Sequence, residues 1–333
     1  MKGQHQIIGG RYQYSPGSPL RQNSLYSEYK AYDRVTKRDL LMHLLPRDDK
    51  LVQVLRDVKH PFVVLVFDVV PLEEGNVAFL YENGAVANIG EVIENTGFLL
   101  EEDALVILKM LLLGLRELHE KLITFGRVCP DNILMWHSAM IKFGHSLYDG
   151  QVPASCQSPE LLQGKKPTQA SDVFGLGVIL YKMLFGVLPF GGQTEKEVLK
   201  HIKGKDFNEQ YKEGHSPFGI VVSKEVTFLV ESMLDYRPEN RPTVEQILGN
   251  SFLNFEVPEE QQAYTKPKVN LLPEPFIKKY LVYRPSKTLH KYDSYYQEHS
   301  YLALSTADKR MVTIYAPEVR MFEAEPRRVE SFF

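Results

Sequence analysis

The sequence predicts an α+β chain in two lobes: a small β-rich lobe, then a larger α-helical one, with a C-terminal extension. Three observations carry that prediction. Short runs rich in β-branched and aromatic residues crowd into the stretch before Glu82, a period near 3.6 takes over from Glu101, and beyond Phe255 the helical periodicity stops. The implied boundaries are a loose lead over 1–20, a small lobe over 21–82, a large lobe over 83–255 and a tail over 256–333.

The lead is polar and rich in Gly and Pro, which favour turns over regular structure. Strands are expected from Leu25 to Tyr32 and from Asp39 to Leu45, and more strongly over Pro61–Val70 and Asn76–Tyr81. From Glu101 to Leu122 apolar residues recur at Leu105, Leu108, Leu111, Leu112, Leu115 and Leu118, one face of a long helix. Ser171–Leu184 is apolar on nearly all sides, as a helix enclosed by others must be. Another helix is expected over Ser223–Leu234, and a last one runs to Leu248. In the tail, Val257–Pro285 reads as extended linker, whereas Ser300–Tyr315 holds two β-prone runs around a polar turn and predicts a hairpin. Eight of the 18 tyrosines fall in this tail, a composition suited to packing against something.

Bulk properties narrow the function classes. The net charge of −3 lacks the basic excess of a nucleic-acid binder. Two cysteines, Cys129 and Cys156, give no disulfide framework and suit a reducing compartment. No apolar run approaches the ~20 residues that span a bilayer. The expectation is a cytoplasmic chain with protein partners, and neither nucleic acid nor membrane.

The stretch Phe125–Gly144, FGRVCPDNILMWHSAMIKFG, organises the rest. It resembles the catalytic loop and metal-binding turn of protein kinases, H-R-D-L-x-x-x-N followed by D-F-G, in which one Asp is the catalytic base and the Asn and second Asp hold magnesium. Ser158-Pro159-Glu160 is similar to A-P-E, Phe79-Leu80-Tyr81-Glu82 to the hinge, and His60-Pro61-Phe62-Val63-Val64 to the lead into the fourth strand. The resemblance runs from about Tyr12 to Phe255.

Within this likeness the groups that handle charge on ATP are replaced. The H-R-D positions read Phe125, Gly126 and Arg127, and an arginine cannot accept a proton. Asn132 remains, available either to a metal or to its own loop. The D-F-G positions read Lys142, Phe143 and Gly144, with two readings for Lys142: an ammonium that neutralises phosphate directly, or a lysine in a dead cleft, solvated or paired with Glu28. His43 stands for the phosphate-binding lysine of V-A-I-K. The helix-C glutamate falls on Leu51, with only seven residues between it and His43, so helix C is shortened to about Asp48–Asp57. The three glycine-loop positions fall on Arg21, Asn23 and Tyr26. Leu41 and Glu28 would occupy the space of the adenine ring, leaving a vestigial pocket of Glu28, Leu41, Tyr81, Asn132, Leu134 and Lys142.

The residues that pack are kept. The resemblance implies an apolar stack of Leu55, Val66, Phe143 and Phe125, an Asp172 that supports the catalytic loop, and a buried Glu160–Arg241 pair. The combination resembles a pseudokinase: a protein-binding scaffold or allosteric regulator of a partner, an active kinase among the candidates, with ATP and magnesium binding absent or weak. The alternative is an atypical metal-independent ATP-using kinase or nucleotidyl transferase. No catalytic or metal-binding residue is expected, and a redox pairing of Cys129 with Cys156 is the minor reading against two buried thiols.

Overall fold

In a computed structural model, the described residues are 5–22, 26–48, 52, 56–136, 140–144, 152–207 and 222–257, with the backbone of 280–282, 300–305 and 311–315 in the tail. Leu51 and Leu55 fall outside them.

Among the described residues, the strands of the small lobe form one sheet of seven. In chain order they are β1 (Gln6–Ile8), β2 (Tyr12–Tyr14), β3 (Arg21–Gln22), β4 (Ser27–Asp33), β5 (Arg38–Pro46), β6 (Val66–Pro71) and β7 (Asn76–Glu82). The order is β1-β2-β4-β5-β7-β6, with β3 also on β4. Alternation along β5 sends Leu40 and Met42 into one apolar cluster with Tyr12, Tyr14, Tyr29 and Leu80. Leu45 belongs to the other, with Tyr26, Phe79 and Tyr81, and Leu41 packs on it.

The loose lead expected over 1–20 is corrected here. Gly9 and Gly10, at φ of 54° and 66°, turn the chain in the three-residue connection from Ile8 of β1 to Tyr12 of β2. Ile8, Tyr12 and Tyr14 bury beside it, so the segment joins the sheet. The sheet curls until its two ends meet. A Cβ on Gly9 would stand 3.2 Å from Val70 of β6, and Tyr12 Oη donates to Asp68 Oδ2 at 2.7 Å.

The strand expected over Pro61–Val70 is also corrected, because pairing with β7 begins only at Val66. Residues before it serve the other lobe: Val63 bridges in parallel to Phe143. Most of the helix C expected over Asp48–Asp57 lies outside the described residues; within it Val52 N donates to Asp48 O at 2.9 Å, and Arg56 Nη2 donates to Val69 O on β6 at 2.9 Å.

The large lobe continues with β8 (Ala85–Asn88), α1 (Ile89–Thr96) and the long α2 (Glu101–Glu120), then β9 (Ile133–Trp136) and β10 (Ile141–Phe143). After these come α3 (Pro159–Leu162), α4 (Gln169–Phe185), α5 (Glu195–Gly204), α6 (Lys224–Met233) and α7 (Val244–Leu248). Capping boxes start α1 at Asn88, α4 at Thr168, α5 at Thr194 and α7 at Thr243. Helix α4 is buried almost throughout, as its uniform hydrophobicity demands. Gly114 lets α2 lie against the strap before β6, since a Cβ there would sit 2.9 Å from Phe62 O.

In the tail, Ser300–Ser305 pairs antiparallel with Met311–Tyr315, the expected hairpin. Tyr280–Val282, placed in the linker by sequence, adds a third strand to it. Among the described residues no helix is long and apolar enough to cross a membrane.

Candidate functional site

The cleft between the lobes is walled above by β4, β5 and β7, whose register sets Glu28 beside His43 and Leu41 beside Tyr81. The His43 ring is 1% exposed, with Tyr26 at 4.7 Å and Tyr81 at 4.9 Å between centroids. Its Nε2 lies 3.4 Å from Glu28 Oε2. Glu28 is therefore turned to histidine on its own sheet. Leu41 is half-buried against the main core.

Below, the β9–β10 hairpin sets Lys142 opposite Leu134. The Lys142 ammonium, in a residue 4% exposed, donates to both Glu82 oxygens at 2.9 Å and lies 4.8 Å from the Trp136 ring centroid. Glu82, at the end of β7, is a partner of the Lys142 ammonium that the sequence reading did not consider. Glu82 Oε1 also accepts from Leu65 N at 2.7 Å. Sequence reasoning missed both Glu82 and Trp136. The available signal was a lone carboxylate in the hinge segment, facing a chain position that had changed from acid to base.

The loop carrying Arg127 is held from below. Asp172, on α4, accepts from Phe125 N at 2.9 Å, Gly126 N at 2.6 Å and His119 Nε2 at 2.9 Å. Burial pushes its carboxyl above the ordinary range against the pull of His119 and the two amides. Gly126 takes a φ of 70°, and Arg127 is half-buried. Asn132 Nδ2 donates to Arg127 O at 2.9 Å, and Asn132 O accepts from Gly144 N at 2.9 Å, so this side chain is engaged with its own loop.

The rings of Phe125 and Phe143 stack at 4.9 Å between centroids, tilted 55°. Val66 is buried on β6 in the same core. Behind them Arg241 grips Glu160, which also accepts from Ser171 Oγ at 2.7 Å. Both cysteines are buried and outside any disulfide, and burial pushes the Cys156 thiol up to about 12, against redox pairing.

Comparison with known proteins places the fold. The protein kinase domain family matches residues 49–253, more than half of the chain. The muscle M-line assembly protein unc-89 of Caenorhabditis elegans is 26% identical over 249 residues, covering 68% of this chain. The chain spans only 3% of the length of that relative. A crystal structure of Rad53 1-466 in complex with AMP-PNP superposes with a TM-score of 0.63 at 20% identity, over 73% of this chain and 66% of that one. That likeness concerns the fold alone. On the family match and the two-lobed architecture together, the chain belongs to the protein kinase domain family.

Proposed function

We propose that this chain is a catalytically inactive member of its family, a pseudokinase that binds a protein partner as scaffold or allosteric regulator. An active kinase is the partner class this fold suits best. One observation carries the reading: the position of the metal-binding aspartate holds Lys142, and its ammonium is spent on Glu82 inside the cleft.

The residues present do not fit a magnesium nucleotide. Magnesium requires oxygen donors, commonly carboxylates. Here Glu82 is engaged by Lys142, Glu28 faces His43, and Asn132 serves Arg127 O. Among the described residues no cluster of three His, Cys, Asp or Glu side chains could hold a metal. Arg127 at the catalytic-base position offers only donors. No phosphoryl-transfer step follows from this donor set. What supports a scaffold is the part that is kept: the Phe125–Phe143 stack, the Asp172 loop anchor and the Glu160–Arg241 pair, all of which preserve shape.

The test is a thermal-shift titration with ATP, with and without Mg²⁺ or Mn²⁺. A ligand at a hundredfold excess over Kd stabilises by ~2.7 kcal/mol. The expected result is no shift at millimolar nucleotide. A metal-dependent shift of several degrees would refute the reading, and a metal-independent one would restore the ATP-using alternative through Lys142.

A further inference from the structure

The segment before β6 is a strap between the lobes. Phe143 N donates to Phe62 O at 2.9 Å and Val64 N to Phe143 O at 2.9 Å, which fastens the strap to β10 below. One residue later it turns to β7 above: Glu82 N donates to Leu65 O at 3.0 Å, and Leu65 N to the Glu82 carboxylate at 2.7 Å. Lys142, the neighbour of Phe143, reaches that same carboxylate. Three chain segments from two lobes therefore converge on Glu82.

We propose that Lys142 and Glu82 form an internal lock that holds the two lobes together with no nucleotide between them, making the surface offered to a protein partner constitutive instead of ATP-gated. This rests on the inactive-scaffold reading and specifies its regulation. The physical reason lies in where the charges sit. Separating a buried ammonium from the half-buried carboxylate that accepts both of its bonds costs more than breaking an exposed pair, so the joined arrangement is favoured over one in which β7 and β10 separate. The Trp136 face adds to this by favouring the ammonium where it stands. In a nucleotide-gated relative of this fold the bridging charge arrives with the ligand; here both charges belong to the chain and the closed state needs no second molecule.

The test uses two single variants of the full chain. Glu82→Gln keeps the side-chain volume and an acceptor for Leu65 N but removes the charge; Lys142→Met keeps the length and removes the ammonium. Hydrogen–deuterium exchange is read at the two amides that fasten the strap, Val64 in the strap and Phe143 in β10, and at Leu176–Leu180, within α4. The lock requires strap amides to exchange at least tenfold faster relative to the α4 amides in both variants. It also requires the double variant to be no looser than the worse single one. A strap-to-helix ratio within twofold of the parent in Glu82→Gln overturns the lock. Exchange of the parent chain with and without magnesium–ATP tests the underlying reading separately: strap protection gained on adding nucleotide refutes the inactive scaffold, whichever way the variants behave.

Discussion

Arg241 closes on Glu160 with two parallel bonds, Nη1 to Oε1 at 2.7 Å and Nη2 to Oε2 at 2.9 Å. The guanidinium also donates to the backbone oxygens of Asp235 and Ala170 and lies 4.9 Å from the Phe174 ring centroid. A planar fork with this many partners cannot be replaced by lysine. Arg241→Met strands the carboxylate, and breaking such a pair costs ~3–5 kcal/mol. The chain is expected to lose several degrees of Tm in calorimetry, and Arg241→Lys to recover only part of it.

The same pair sets an acid limit. Burial alone would raise the Glu160 carboxyl, but the bonds from Arg241 and Ser171 overcome it and hold it at about 2, below its ordinary 4.5. A folded pKa below the unfolded one contributes stability that is complete above 4.5 and disappears as pH falls toward 2. Unfolding measured from pH 6 down to pH 2 is expected to show this loss in the parent chain and a shallower slope in Arg241→Met.

Gly114 and Gly17 form a matched pair of probes. A Cβ on Gly114 meets Phe62 O at 2.9 Å and Phe143 at 3.2 Å, in packed backbone and core, whereas one on Gly17 meets no atom within 4 Å. Gly114→Ala is expected to cost ~1–3 kcal/mol as overpacking, and Gly17→Ala to stay within ~0.5 kcal/mol. Denaturant midpoints at constant m-value measure both.

Cys156 is a chemical probe of the fold. With its thiol pushed up to about 12, it is neutral at pH 8 and enclosed. A thiol reagent at pH 8 is expected to label it only at the rate of unfolding, at least a hundredfold slower than a free cysteine peptide. Labelling within seconds would contradict the burial.

Lys109 Nζ donates to the carbonyls of Leu253 and Phe255 and lies 4.7 Å from the Phe255 ring centroid, closing the large lobe before the tail begins. Removing residues 258–333 is expected to leave Tm unchanged within a degree or two while partner capture is lost. A lower Tm would place the tail back on its own domain.

Much of the two-lobed fold is legible in sequence because its elements are strongly periodic. The α2 stripe and the uniform apolarity of α4 leave little choice. The β1–β2 hairpin was hidden by composition. Gly9-Gly10 and the following Pro and Ser residues suggest a loop, while the alternation Ile8, Tyr12, Tyr14 that makes it a hairpin spans only three residues on each side. Phe125, Lys142 and Asp172 were locatable because spacing along one motif fixes them. Glu82 was not, since its meeting with Lys142 joins positions 60 residues apart and depends on how β7 and β10 face each other.

The seam where Gly9 rests on Val70 and Tyr12 reaches Asp68 bears on how this protein should be handled. A truncated version begun at Tyr12, where the resemblance read from the sequence begins, would strip β1 from the sheet. Its outermost strand would then be β2, whose unpaired amides and carbonyls invite neighbouring molecules to dock edge to edge. Poor solubility of such a fragment would report the missing first hairpin, with no bearing on the soundness of the kinase-like domain itself.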